Sequence, residues 1–404
     1  MEVPQYETHS RDTRRANGDC AIDGNPRRVT RLGIDATFVR PGLVGGAEQG
    51  VYATARAIAR ARGAADPVYV YSRERLPDLE RIAEVQTRLV PGRSGNRFVH
   101  ASLALPGQLA RDNVESILFP NYFTPPTLPG IRKVTIINDL QYVHYPKNFS
   151  PLKRAWLRFA HEATLRLAHV TIAISDWVRD DILRVYGSRF AHKVTTVPLP
   201  IDWSTFGSAE TDDVIHSRRE WPFLLSVAAQ YPHKNLETLI RAFGVLRRRH
   251  PDLRLVLVGQ APDRLIGFVN DRPHLGALIA SLGLDDRVVT TGYVSDREVG
   301  WYYRHAIAFV FPSLFEGMGR PVVEALGLGL PTVTTRCGSL PEVSRGLAAH
   351  VENPTDPAEL ASVLDEIVRA PSTYGPSPAA SAALRDSYSP EAIGPLYLNA
   401  LVGR

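Results

Sequence analysis

The chain has 404 residues, 44% of them hydrophobic and 22% charged, with a net charge of +5. That length suits two domains, each with its own core, and the longest apolar runs fall well short of the roughly 18 residues a membrane helix needs. The two cysteines, Cys20 and Cys337, make neither a disulfide framework nor a metal site. Basic charge is spread along the chain without interleaved aromatics or a recognition helix, which argues against a nucleic-acid partner.

Residues 1–29 carry Arg11, Arg14, Arg15, Arg27 and Arg28 but no apolar core, so a disordered polar tail is expected rather than a secretory signal, and a cytoplasmic protein with it. From Arg31 onward, strand-like runs alternate with helical ones. A strand is expected over 32–39, a glycine-rich loop over 41–48 and a helix over 49–62. Further strands are expected at 68–71, 116–119, 134–137 and 170–174, with helices at 152–167 and 175–186. On the helix at 152–167, Leu152, Trp156, Phe159 and Ala163 share one face while Lys153, Arg154, Arg158 and Arg166 lie largely elsewhere. That pattern reads as a core helix with a solvated basic face, and a peripheral contact with the inner face of a membrane is the rival reading.

A second series begins at Trp221. Strands are expected at 223–227, 253–259, 288–290 and 306–311, and helices at 236–249, 275–282 and 298–303. Strands alternating with helices imply α/β architecture with parallel sheets covered on both faces, here two Rossmann-like domains. The expected division is a domain over 30–203, a linker over 204–220, a second domain over 221–385, and a C-terminal helix over 386–404 packing back toward the first domain. Ligands of open parallel sheets bind beyond the C-terminal strand ends, so the loops after Val39, Ile137, Val227 and Phe311 should carry the chemistry.

The loop after Phe311 is the most informative. Glu316-Gly317-Met318-Gly319-Arg320-Pro321 leads into a helix containing Glu324. Gly317 and Gly319 permit close backbone approaches, Pro321 suits a first helical turn, and the helix start offers N–H groups to an anion. Glu316 and Glu324 bracket this diphosphate cradle, and each can accept hydrogen bonds from sugar hydroxyls. This Glu-x7-Glu segment resembles the donor site of retaining glycosyltransferases of family 4, which have the GT-B fold of two Rossmann-like domains facing each other across a cleft. The resemblance runs from about Thr30 to the C-terminus. It implies that Glu316 contacts the transferred sugar and Glu324 the nucleotide ribose, with Met318 beside the donor; Arg320 stands where a hydrophobic residue is commoner in the family and is a further candidate for the phosphates.

Other segments extend the likeness. Gly45-Gly46-Ala47-Glu48 resembles the family's first-loop glycine pair beside the donor phosphates and the acceptor. Tyr231-Pro232-His233-Lys234-Asn235 resembles its Pro-Arg-Lys-Asn or Pro-Arg-Lys-Gly segment, making Lys234 the phosphate lysine, although His233 stands where arginine is usual and Ala228-Ala229-Gln230 lacks another common arginine. Asn138-Asp139-Leu140-Gln141 resembles the His-Asp-Leu segment near the transferred sugar, with asparagine replacing the histidine. Asn138 is a sugar-contact candidate and Asp139 an acceptor-orienting one, and both also suit simple turn capping. Tyr293 and Val294 fall in the loop whose backbone reads the base.

No Asp-x-Asp triplet occurs, so Lys234, Arg320 and the helix start are expected to hold the diphosphate without a catalytic metal or cofactor. Histidines 144, 161, 169 and 192 show no ligand spacing. The expected activity is transfer, with retention, of a hexosyl group from a nucleoside diphosphate sugar, GDP-mannose or another, to a hydroxyl of a saccharide, glycolipid or small molecule. The feel of the loops is that of bacterial mannosyltransferases of polysaccharide or glycolipid assembly. A nucleotide-sugar epimerase of the same fold and a non-catalytic sugar-nucleotide-binding subunit are the alternatives.

Overall fold

A computed structural model describes residues 30–40, 46–63, 66–91, 97–207, 221–260 and 275–403; the expected N-terminal tail and Gly45 lie outside them. Thirteen strands among these residues form two all-parallel sheets. The first holds β1 (Leu32–Asp35), β2 (Val68–Ser72), β3 (Val85–Leu89), β4 (Ser116–Phe119), β5 (Arg132–Ile137), β6 (Val170–Ala173) and β7 (Val194–Thr196), in the order β3-β2-β1-β4-β5-β6-β7. The second holds β8 (Phe223–Val227), β9 (Arg254–Val258), β10 (Val288–Gly292), β11 (Ala308–Phe311), β12 (Thr332–Thr335) and β13 (Ala349–Val351), in the order β10-β9-β8-β11-β12-β13. Each sheet therefore reverses its strand order once, between β1 and β4 and between β8 and β11, and leaves a crevice beyond the C-terminal ends of those strands. The α/β fold of two Rossmann-like domains is the one expected.

The central strands are buried on both faces, which is why they are mostly apolar: β1, β4 and β11 have no exposed residue. In the second sheet Leu224, Leu255, Leu257 and Val310 meet Leu239, Phe243, Leu360 and Leu364 of the helices Leu236–Leu246 and Pro357–Arg369. The opposite face, with Leu225, Val256 and Phe309, joins an apolar cluster that continues into the first domain. Four strands escaped the sequence pattern. β3 has three successive polar residues, Gln86, Thr87 and Arg88, at a sheet edge, and β7 and β13 are three-residue edges. β12 is mostly threonine, yet wholly buried, because Thr332, Thr334 and Thr335 donate their hydroxyls to the carbonyls of Leu330, Phe311 and Ser313 at 2.9, 2.9 and 2.6 Å.

Several expected boundaries shift. The strand expected to reach Val39 ends at Asp35, whose Oδ1 accepts the Thr37 N–H at 3.0 Å and turns the chain. Of the expected linker 204–220, residues 208–220 lie outside the description. The part before them is not a free connector: Phe206 is buried, its carbonyl accepts Arg304 Nη1 at 3.1 Å, and a Cβ on Gly300 would come within 2.1 Å of that same oxygen. The C-terminal segment forms two helices, Pro378–Ser387 and Pro390–Val402, so a boundary at 385/386 falls inside the first. The second lies on the helix Gly46–Arg62, so closely that a Cβ on Gly394 would sit 2.2 Å from Ala57 O, and Arg132 Nε donates to Ala400 O at 2.9 Å.

The helix Pro151–Leu167 corrects the expected core stripe. Its buried residues are Leu157, Ala160, His161, Thr164 and Leu165. Leu152 and Phe159, read from the sequence as core-facing, are exposed. Apolarity alone named the wrong face because the true one contains a histidine and a threonine with partners: His161 Nδ1 pairs with Leu157 O at 2.7 Å and Thr164 Oγ1 donates to Tyr122 O at 2.6 Å.

Candidate functional site

The loops after β8 and β11 meet at the crevice of the second sheet. Leu314 N and Ser313 Oγ donate to the His233 carbonyl at 2.7 and 3.0 Å, and Asn235 Nδ2 donates to Pro312 O at 3.1 Å and Pro354 O at 2.7 Å. Asn235 has φ +56° and ψ +34°, the left-handed region that asparagine and glycine tolerate best, which gives a backbone reason for Asn or Gly after the lysine. Lys234, one position earlier, is thereby aimed across the crevice. Its Nζ lies 2.6 Å from Glu316 Oε1 and 5.2 Å from the centre of the Phe311 ring.

Glu316 is fixed from behind. Its carbonyl accepts both Ser339 N and Ser339 Oγ at 3.2 Å, and Gly338, at φ +63°, passes so close that a Cβ would lie 2.5 Å from that oxygen. Gly319 takes φ +66° at the start of the helix Arg320–Gly327, and Met318 is buried beside it. Glu324 is buried and held at both oxygens, Oε1 by Arg320 Nε at 2.7 Å and Oε2 by Tyr303 OH at 2.9 Å. Each carboxylate oxygen keeps a second lone pair for another donor. Arg320 Nη1 is buried with no hydrogen-bond partner, so one cationic donor beside Glu324 stands ready for an acceptor.

The first domain closes on this site. Ser175 Oγ donates to Gly317 O at 2.6 Å, and a Cβ on Gly317 would fall 2.0 Å from Asn138 O and 3.3 Å from Asp139 Cβ. The close approach expected at Gly317 is thus an approach of the opposite domain's backbone. Phe315 sits among His144, Tyr145 and Trp177, with ring centres 5.3, 5.7 and 5.4 Å away, and Tyr145 OH donates to Leu314 O at 2.8 Å. Glu342 accepts the N–H groups of Asp176 and Trp177 at 2.9 Å each, a carboxylate at the N-terminus of the helix Asp176–Tyr186.

His233 Nδ1 lies 2.6 Å from Gln141 Nε2, so the amide donates and the imidazole accepts across the domains. Burial, assisted by the neighbouring Lys234 charge, pushes the His233 imidazole down to about 3 and keeps it neutral. Asp139 Oδ1 accepts the Gln141 N–H at 2.9 Å, the turn-capping role. Burial raises its pKa, and so does the charge of Glu316, while the Gln141 hydrogen bond and Lys234 oppose the rise. Asn138 is half-buried at the same crossing point.

Tyr293 is exposed and Val294 half-buried in the loop after β10. Gly46 opens the helix Gly46–Arg62, in which Glu48 accepts Tyr52 OH at 2.7 Å. No site role was read from the sequence for Tyr303, Ser175, Gln141 or Glu342. Ser175 was findable as a helix N-cap just after a strand end, where ligand loops lie. Tyr303 and Gln141 had no local signal, since each matters through a partner more than twenty residues away. Among the described residues no three His, Cys, Asp or Glu side chains gather as a metal site. The arrangement can bind an anion at Lys234 and Arg320, and can offer carboxylate acceptors at Glu316 and Glu324 to hydroxyls on either side of it.

Two family models match the chain, one over each domain. Residues 44–204 match the family model described as Glycosyltransferase Family 4, and residues 209–377 match that of Glycosyl transferases group 1. The O-antigen chain mannosyltransferase B of Escherichia coli is 29% identical over 244 residues, 59% of this chain and 61% of that protein. The mannosylfructose-phosphate synthase of Agrobacterium fabrum is 28% identical over 272 residues, 65% of this chain and 58% of that protein. The similarity therefore spans about three fifths of each relative. Sucrose-phosphate synthase from Thermosynechococcus elongatus superposes with a TM-score of 0.74 at 19% identity, covering 93% of this chain and 100% of that one. Anabaena HepE, crystallised with UDP and glucose, superposes at 0.71 with 18% identity over 93% of this chain and 100% of its own. At such identities the superpositions establish the shared GT-B fold.

Proposed function

The chain belongs to the glycosyltransferases of family 4, and from that premise we propose that it transfers a hexosyl group, with retention, from a nucleoside diphosphate sugar to an acceptor hydroxyl. The carrying observation is the contact of Lys234 with Glu316 at 2.6 Å at the strand-order crevice, with Arg320 and Glu324 one helical turn beyond. An arriving diphosphate takes Lys234 as its counter-ion and releases Glu316 to the sugar hydroxyls. As the bond from the anomeric carbon to the phosphate oxygen breaks, negative charge grows on the leaving group, and Lys234 stabilises that state more than the ground state. The acceptor oxygen bonds to the anomeric carbon on the same face, and its proton passes to a leaving phosphate oxygen. Arg320, through its unpartnered Nη1, and Lys234 supply the charge that a metal would otherwise bring.

GDP-mannose is the first donor to try, because relatives of this chain are named mannosyltransferases. The acceptor is a saccharide, glycolipid or small molecule reached from the first-domain loops, Asp139 orienting its hydroxyl and Asn138 touching the transferred sugar. The protein works on the cytoplasmic side, with peripheral contact at the inner membrane face. Among the described residues no helix is long and apolar enough to cross a membrane.

The test is a thermal-shift screen of nucleotide sugars, followed by incubation of the best donor with and without hydroxyl acceptors, and by NMR of the product's anomeric configuration. A glycosylated acceptor of unchanged configuration is expected. A new sugar epimer from donor alone favours the epimerase reading, and binding with neither product favours the non-catalytic one.

A further inference from the structure

The helix Pro151–Leu167 turns an apolar stripe away from the core. At 100° per residue, Leu152, Trp156, Phe159 and Ala163 form one stripe centred roughly 130° from the buried one. Beside it runs a groove of about 470 Å³ lined mainly by Phe98, Val99, Leu103, Phe123, Trp156 and Phe159, between this helix and the helix Arg97–Leu103. Four of the eight large apolar side chains exposed among the described residues gather here: Leu152 at 83%, Leu103 at 74%, Phe159 at 64% and Val99 at 42%. Scattered exposed apolar residues need no explanation, but a patch that gathers half of them does.

The charge around the patch is of one sign. Residues 98–111 and 144–161 contain no Asp or Glu and five Lys or Arg residues, namely Arg111, Lys147, Lys153, Arg154 and Arg158. Glu162, the first acid after the second run, is already paired with Arg166 at 2.6 Å and Arg189 at 3.3 Å. An apolar face with a basic rim complements a lipid leaflet, whose acyl boundary takes the one and whose phosphates take the other. A protein partner would need no such uniform sign.

We propose that this face docks the protein on a bilayer rich in anionic headgroups, with Phe159, Leu103 and Leu152 entering the headgroup boundary and the basic residues contacting lipid phosphates. Two short helical turns, Gln141–His144 and Pro146–Asn148, join the loop carrying Asn138 and Asp139 to this helix, so docking brings the crevice near the surface where a glycolipid hydroxyl is presented. The docking surface rests on the proposed transfer reaction only for that last purpose.

The experiment is co-sedimentation of the full chain with phosphatidylcholine vesicles, with and without a third of phosphatidylglycerol. At least about tenfold tighter binding to the anionic vesicles is expected, weakening as salt rises. Phe159→Glu with Leu103→Glu, and separately Lys153→Glu with Arg158→Glu, should each reduce that binding at least about tenfold, while melting temperature and nucleotide-sugar affinity stay unchanged. Absence of binding, or binding untouched by both variants, overturns the proposal. So does a dimer, seen by light scattering, that the first variant abolishes, because a second copy would then cover the groove. Nucleotide-sugar affinity, measured by calorimetry without vesicles, fails on its own if the catalytic reading is the one at fault.

Discussion

Replacing Lys234 with methionine removes the charge while keeping a stem over the Phe311 ring. Two consequences separate. A unit charge about 4 Å from a phosphate oxygen, at an effective dielectric of about 20, is worth ~4 kcal/mol, and at ~1.4 kcal/mol per decade this sets an upper bound of about three decades in rate. Water and the remaining cation, Arg320, take up part of the loss, so turnover should fall at least about a hundredfold. The second consequence comes from Glu316. The two side chains are 17% and 10% exposed, so the substitution strands a mostly buried carboxylate and should cost ~3 kcal/mol of stability. Adding Glu316→Gln should restore most of that stability and none of the turnover. The assay is initial rate at saturating donor alongside denaturant unfolding of both variants and the parent. An unchanged rate for Lys234→Met refutes the leaving-group role, and an unchanged unfolding midpoint refutes the buried pair.

Gly317→Ala tests the domain crossing: a Cβ 2.0 Å from Asn138 O forces the domains apart, so a loss of about 1 to 3 kcal/mol in stability and a clear drop in kcat/KM are expected. Equal melting temperature and activity would show that the crossing relaxes freely. His233 is neutral in the fold with a pKa of about 3, below its usual 6.5, so the unfolded chain binds more protons between those values; its contribution is present above pH 6.5 and is lost as pH falls toward 3. His233→Gln keeps an acceptor for Gln141 and should flatten the acid side of the stability profile, the remaining slope coming partly from buried His161 at about 4; a profile identical to the parent's excludes the assignment. Activity should survive exhaustive chelation, because Lys234 and Arg320 supply the positive charge at the diphosphate; loss with chelator and recovery with magnesium or manganese would overturn that expectation.

Local sequence was sufficient wherever the physics is local. Strands buried on both faces are mostly apolar, so β1, β4, β8 and β11 were legible, and the loops following them could be named before their geometry was known. Gly317 and Gly319 marked a turn of close backbone approach before a helix, and the family likeness named Lys234 as the phosphate cation. What tertiary structure alone decided is how those loops are used. That Lys234 pairs with Glu316, that Tyr303 and Arg320 saturate one side of Glu324, and that Gly317 is a glycine because Asn138 crosses it all depend on residues brought together from distant segments. The helix Pro151–Leu167 shows the limit most clearly. Periodicity identifies an apolar stripe but carries no information about whether a core, solvent or another phase faces it, and here the core took the stripe whose histidine and threonine had found hydrogen bonds.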